Sequence, residues 1–192
     1  ANTQIIKLYE RPQLAKRGVS ADSFVILWCG GYNTWTDVET LYTGLESAMA
    51  QNPKIHYVSI GESTYNAPEN VYVRFLKMIE KSKYRDRYHM LGWQPWKEVA
   101  NYYRESDVGL NIDAMHYETI YGTRTRLVEM IAAGLPVITS LGCELSDLLR
   151  NEGVGLTFNT GDWRGLSQQI LTLSMDRDLC SNMASKALNY AK

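Results

Sequence analysis

Residues 24–33 read FVILWCGGYN, and this stretch decides the fold. Six apolar residues in a row, Phe24 to Cys29, have the length of one strand with both faces buried. That is the mark of a parallel sheet covered on two sides. Gly30 and Gly31 then break the run. Behind them Thr36-Asp37-Val38-Glu39 has the form of a capping box, in which a threonine hydroxyl and a glutamate carboxylate satisfy free amides at a helix start. Val38, Leu41, Tyr42, Leu45, Ala48 and Met49 fall on one face of the helix that follows.

Outward from this unit the alternation continues. Ile55 to Ile60 reads as a strand, Tyr72, Phe75, Leu76 and Ile79 as a helix face, and Tyr88 to Leu91 as a strand. Val99, Ala100 and Tyr103 mark a short helix. Val108 to Ile112 is a strand, followed by a polar loop to about Thr123. Leu127 to Ala133 reads as a helix stopped by Gly134. Pro136 to Thr139 is a strand, Leu145 to Leu149 a helix and Val154 to Phe158 a last strand. Trp163, Leu166, Ile170 and Leu173 mark one closing helix, and Leu179, Met183, Ala187 and Tyr190 another. Strands alternating with helices in this way predict an α/β fold: a three-layer α/β/α Rossmann-like domain with a parallel sheet of about six strands. Residues 1–23 are mixed and polar and read as a lead-in segment, and residues 24–192 as the domain itself. Ligands of such sheets bind beyond the carboxyl ends of the strands, which confines the search to loops 30–35, 61–68, 92–95, 112–124 and 140–144.

Composition removes several function classes. The 192 residues are 45% hydrophobic and 21% charged, enough to build one core and incompatible with disorder. A formal charge of −1 argues against nucleic acid as a partner. No apolar run is long enough for a membrane-spanning helix, and no signal-peptide pattern opens the chain. Cys29, Cys143 and Cys180 have no paired spacing and read as reduced thiols of a cytoplasmic protein. His56, His89 and His116 lack ligand spacing, so no metal is expected. His116 lies in a candidate loop and reads as solvated. The first residue is Ala1, which predicts a piece of a longer polypeptide.

Four places could carry chemistry. Gly30-Gly31 would allow close approach of a phosphate, or would merely supply a tight turn. Arg124 and Arg126 open the helix after the long loop, where cations oppose the macrodipole at about 0.3–1 kcal/mol each. Either an anion sits there against free amides, or the arginines pair with carboxylates such as Asp113 or Glu118. Glu129, in an otherwise apolar helix, either accepts hydrogen bonds from a ribose diol or faces solvent. Trp93, after Gly92 at a strand end, either stacks on a base or belongs to the core.

At this point the residues resemble a family. Glu129-Met-Ile-Ala-Ala-Gly-Leu-Pro-Val-Ile-Thr is similar to the Glu-Ala-Met-Ala-x-Gly-x-Pro-Val signature of GT-B glycosyltransferases of the group 1, family 4 type. Tyr88-His-Met-Leu-Gly-Trp and Asn101-Tyr-Tyr-Arg-Glu-Ser-Asp-Val-Gly-Leu extend the likeness in one direction. Gly142-Cys-Glu-Leu-Ser-Asp and Gly153-Val-Gly-Leu-Thr-Phe extend it in the other. The resemblance covers residues 24–192 and implies the C-terminal, nucleotide-sugar-binding half of a two-domain enzyme. Such an enzyme transfers a sugar from a nucleoside-diphosphate sugar to a glycan, lipid or other acceptor, with retention and without a metal or other cofactor. The acceptor would be held mainly by an N-terminal domain absent from this chain. Any peripheral attachment to the inner face of a membrane would run through that absent half, and this chain alone would be inactive.

The resemblance also implies roles. Glu129 corresponds to the second glutamate of the family's Glu-x7-Glu motif, which holds the donor ribose. The first glutamate's position is Tyr121 here, and the nearest acid is Glu118. Gly122, Thr123, Arg124 and Thr125 match the segment that meets the diphosphate. Gly92-Trp93 matches the place where the base is read, and Gly30-Gly31 the first phosphate loop. The family's Arg and Lys after that first strand are missing, so Arg124, with Arg126, is expected to neutralise the departing phosphate. Glu118 and Arg124 are the expected catalytic residues. Two other readings compete: a non-catalytic Rossmann-like regulatory or interaction domain, and a dehydrogenase-type cofactor domain, against which the absence of GxGxxG counts.

Overall fold

The structure is a computed structural model and describes residues 11–63 and 70–191. Residues 1–10 of the expected lead-in, most of the expected 61–68 loop and Lys192 lie outside the described residues.

Six parallel strands form one sheet: β1 (Phe24–Cys29), β2 (Ile55–Ile60), β3 (Tyr88–Met90), β4 (Val108–Asn111), β5 (Val137–Ser140) and β6 (Gly155–Phe158). Their spatial order is β3-β2-β1-β4-β5-β6. Nine α-helices accompany them among the described residues: α1 (Pro12–Ala15), α2 (Val38–Gln51), α3 (Val71–Glu80), α4 (Trp96–Glu105), α5 (Tyr117–Tyr121), α6 (Thr125–Ala132), α7 (Glu144–Glu152), α8 (Trp163–Met175) and α9 (Arg177–Tyr190). The fold is the expected α/β Rossmann-like one.

The apolar run at β1 supplies two cores because successive side chains leave on opposite faces. Phe24, Ile26 and Trp28 pack with Leu41 and Leu45 of α2, Phe75 of α3 and Ile170 of α8. Val25 and Leu27 pack with Leu14 of α1, Tyr102 of α4, Leu127 and Met130 of α6 and Leu149 of α7. Each fully buried aliphatic or aromatic chain of this kind contributes about 1.5–3 kcal/mol. The chain leaves β1 toward β2 on one side and returns to β4 on the other. The sheet therefore has its switch point between β1 and β4, and a crevice opens above their carboxyl ends.

Two local details differ from expectation. The α2 cap is Asp37, whose carboxylate accepts from Thr40 N at 3.0 Å; the Thr36 hydroxyl accepts from Asn33 N at 3.1 Å instead. The stretch 112–124 is not all loop, for it holds the single-turn helix α5. The stop after α6 is as expected. Gly134, at φ 70°, donates to Ile131 O and Leu135 N donates to Met130 O, which closes the helix end in a Schellman motif.

The described part of the lead-in is built into the domain. Gln13 N and Leu14 N donate to the fully buried Glu105 carboxylate, at 2.8 Å for Leu14. Arg11 pairs with buried Asp107 at 2.7 Å, and Asp107 also meets Arg177 at 2.6 Å.

Candidate functional site

The crevice at the switch point is two adjoining hollows. The first, about 450 Å³, is lined by Cys29, Gly30, Gly31, Trp93, Arg126 and Glu129 among others. The second, about 180 Å³, includes Asp113, Glu118, Gly122, Thr123 and Arg124. Asn33, Thr125 and Arg126 belong to both, so the hollows form one cleft. Of the twelve expected site residues, ten border it: Gly30, Gly31, Trp93, Glu118, Gly122, Thr123, Arg124, Thr125, Arg126 and Glu129.

The floor is backbone. Gly30 sits at φ 117° and Gly61 at φ 149°, and a Cβ on Gly61 would stand 2.1 Å from Gly30 O. Only glycine permits that approach, and the turn it allows lines the first hollow with bare backbone.

Arg126, in the first turn of α6, reaches this floor. Its Nη2 donates to Gly31 O at 3.0 Å, and its guanidinium lies 3.7 Å from the ring centroid of Trp28. The Nε is buried with no hydrogen-bond partner. Burial pulls the Arg126 pKa down, and neighbouring Asp113 works against that. The first loop, which has no cation of its own, thus receives one from a helix 95 residues on.

Arg124 is differently placed. It is the N-cap residue of α6 and only 8% exposed. Its Nε lies 2.8 Å from Asp113 Oδ2 in an ion pair whose N–H is not aligned as a hydrogen bond, and Nη2 donates to Glu118 O at 2.5 Å. Of the two readings open for the arginines, pairing with Asp113 describes Arg124. No side chain caps α6. The amides of Thr125 and Arg126 precede its first intrahelical hydrogen bonds and stand free for an acceptor at the cleft.

Glu129 projects from the next turn into the first hollow. It is exposed, and its carboxylate accepts from Tyr103 Oη at 3.0 Å. Glu118, half-buried, faces the second hollow. Tyr121, at the position of the missing glutamate, is 84% exposed and borders a third hollow of about 320 Å³, which shares Gly122, Thr123 and Arg124 with the second. Trp93 is 55% exposed, so it is not a core residue; Trp96 is beside it on the cleft wall. Gly92, at φ 68°, turns the chain just before Trp93 in a backbone conformation that side chains rarely adopt.

Asn111, Ser140 and Trp35 went unread in the sequence, and Asp113 was read only as one carboxylate open to an arginine. Asn111 ends β4 and Asp113 stands two residues past it, with Asn111 Nδ2 donating to Asp113 Oδ2 at 3.0 Å. Asp113 N donates to Ser140 Oγ at 3.0 Å. Polar residues at the tips of buried central strands were the available signal. His116 is not a solvated loop residue: its Nδ1 accepts from Glu118 N, and its ring stacks on Trp35 at 5.5 Å. This clasp, with Ala114 N donating to Trp35 O at 2.7 Å, ties the first loop to the long one. His56 and His89 lie away from the cleft, 3.0 Å apart. Among the described residues no cluster of three or more His, Cys, Asp or Glu could hold a metal ion. Among them, too, no helix is long and apolar enough to cross a membrane.

With this geometry in place, comparison with known proteins bears on the family. The family model described as glycosyl transferases group 1 matches residues 10–190. No relative among curated protein sequences matches the chain. Solved structures do share the fold. WaaG, a glycosyltransferase involved in lipopolysaccharide biosynthesis, aligns with a TM-score of 0.76 at 18% identity, covering 100% of this chain and 47% of that one. HepE from Anabaena, in complex with UDP-glucose, aligns at 0.77 and 21% identity, covering 95% and 47%. The C-terminal domain of LpcC, a glycosyl transferase group 1 family protein from Francisella tularensis, aligns at 0.75 and 12% identity, covering 94% and 89%. The chain thus spans about half the length of WaaG and HepE. The family match runs through both glycine turns, α6 and every strand of the sheet: the chain belongs to the glycosyl transferases of group 1.

Proposed function

We propose that this chain is the donor-binding half of a glycosyltransferase of the GT-B, family 4 kind. It holds a nucleoside-diphosphate sugar whose glycosyl group passes to an acceptor, with retention and without a metal. The acceptor is carried mainly by a second α/β half, and the chain alone turns over little. The working compartment is the cytoplasm. That HepE was crystallised with UDP-glucose supports a nucleotide-sugar donor.

The observation that carries this reading is the delivery of Arg126 onto the glycine floor, beside the free amides that open α6. A diphosphate fits that combination: oxygens against backbone N–H groups, and a cation that needs no rearrangement as charge builds on the leaving group. In this scheme Arg126 carries the charge expected of Arg124. Arg124, ion-paired to Asp113, holds the loop that presents Gly122, Thr123 and Glu118. Glu129 meets the ribose hydroxyls and Trp93 with Gly92 the base. Glu118 takes the sugar contact that Tyr121 cannot make. The charge neutralisation of Arg124 by Asp113 is what the competing reading, a non-catalytic domain of the same fold, would emphasise.

Calorimetric titration with UDP, GDP and dTDP separates the two. The donor-binding reading expects one of them to bind. A folded chain that binds none refutes it.

A further inference from the structure

We infer that Tyr103 is a positioning residue for the donor ribose, acting through Glu129. The inference rests on the proposal that Glu129 holds the ribose diol. Tyr103 stands on α4, not on the helix that carries Glu129, and its hydroxyl bridges two walls of the cleft. It lies 3.0 Å from Glu129 Oε2 and 3.2 Å from Cys29 Sγ. A phenol has one hydrogen. The carboxylate has none to give, so the Tyr103 hydrogen goes to Glu129 and the Cys29 S–H turns toward the Tyr103 oxygen. Burial raises the pKa of both groups, so the thiol and the phenol stay protonated and the chain of donors runs one way, from Cys29 through Tyr103 to Glu129.

This relay fixes one carboxylate oxygen and leaves the other facing the hollow. An unrestrained exposed glutamate samples several rotamers, and ordering it on binding costs free energy. A carboxylate held beforehand by a half-buried partner avoids much of that cost. Tyr103 touches no ligand in this scheme, and its contribution is orientation alone.

The test is a ratio. The probe is whichever of UDP and GDP binds the full chain more tightly, paired with its 2′-deoxy form. In the unaltered chain the ribonucleotide is expected to bind more tightly. Tyr103→Phe keeps the ring and removes the hydroxyl. It should cut the ribo-over-deoxy preference about three- to tenfold, the size of one hydrogen bond, with deoxy affinity held within about twofold. Cys29→Ala should move the ratio the same way by less, and it serves should the tyrosine variant not fold. If the unaltered chain prefers the ribonucleotide and both variants keep that preference, including by losing both affinities equally, the positioning role is overturned while the ribose reading stands. If the unaltered chain shows no preference, or binds neither nucleotide, the ribose reading fails and the role of Tyr103 falls with it.

Discussion

The guanidinium of Arg126 lies 3.7 Å from the ring centroid of Trp28, sandwiched between the last buried residues of β1 and the cleft. Trp28 Nε1 donates to Gly30 O at 2.9 Å, so the indole also fixes the start of the glycine turn. One residue thus anchors the turn and stacks on the cation that serves it. A planar group is required for this. Arg126→Ala should weaken nucleoside diphosphate binding tenfold or more, about 1.5–3 kcal/mol, the range for a hydrogen bond to a charged group. Arg126→Lys should recover little of it, because an ammonium cannot both stack on the indole and reach Gly31. Titration calorimetry reads both variants, and a lysine variant with full affinity would show that charge alone suffices.

Arg124 should behave in the opposite sense. Asp113 is 3% exposed, and removing its ion-pair partner leaves a buried carboxylate hydrogen-bonded to Asn111, with Arg126 as the nearby cation that remains. Arg124→Ala should therefore lower stability by about 3–5 kcal/mol, the cost of breaking a buried ion pair from one side. Pairing it with Asp113→Asn should restore a good part, since no charge then remains unpaired. Urea unfolding of the two single variants and the double variant measures this coupling. A strictly additive double variant would mean that the pair does not act as a unit.

What the residues alone revealed, and what they hid, follows from the range of each interaction. β1, its glycine turn and α2 were legible because an apolar run and a helical face are local patterns. The helix α5 was not. It is one turn long, and Tyr117, Ile120 and Tyr121 are exposed, so no apolar face marks it. The roles of the two arginines were also out of reach. They stand two residues apart, and spacing cannot say which one turns to a loop 95 residues away and which to Asp113. Glu118 was named only as the nearest acid to a gap in a motif. It lies on the cleft because His116 caps the turn that carries it.

Acid should loosen the edge of the sheet. His56 Nδ1 and His89 Nε2 are 3.0 Å apart on β2 and β3, where at most one hydrogen can be shared. Burial, with His89 and Arg87 nearby, holds His56 down to about 4, and burial lowers His89 too. A base whose folded pKa lies below its unfolded value binds protons preferentially when unfolded. Its contribution is therefore whole above about pH 6.5 and is lost as pH falls toward 4. Allowing for partial exposure, His56 should account for about 1–3 kcal/mol across that window. Urea midpoints measured from pH 7.5 to 4.5 should fall, and His56→Phe should flatten the curve. An unchanged slope in that variant would assign the acid sensitivity elsewhere.

The lead-in is tied down by an acid that has no solvent contact. Both oxygens of Glu105 face the amides of Gln13 and Leu14, which open α1 and have no intrahelical acceptors. The carboxylate therefore caps a helix in another part of the chain. Glu105→Gln would turn an NH2 group toward one of those amides and set donor against donor, at about 1–3 kcal/mol. The loss is local, so α1 should open before the sheet does. Lys16 and Arg17 lie just past α1 and are exposed, which makes trypsin the natural reporter. Cleavage there should be about tenfold faster in the glutamine variant, while cuts within the sheet should keep their rates. Equal acceleration at every site would mean that Glu105 supports the whole domain rather than the segment it caps.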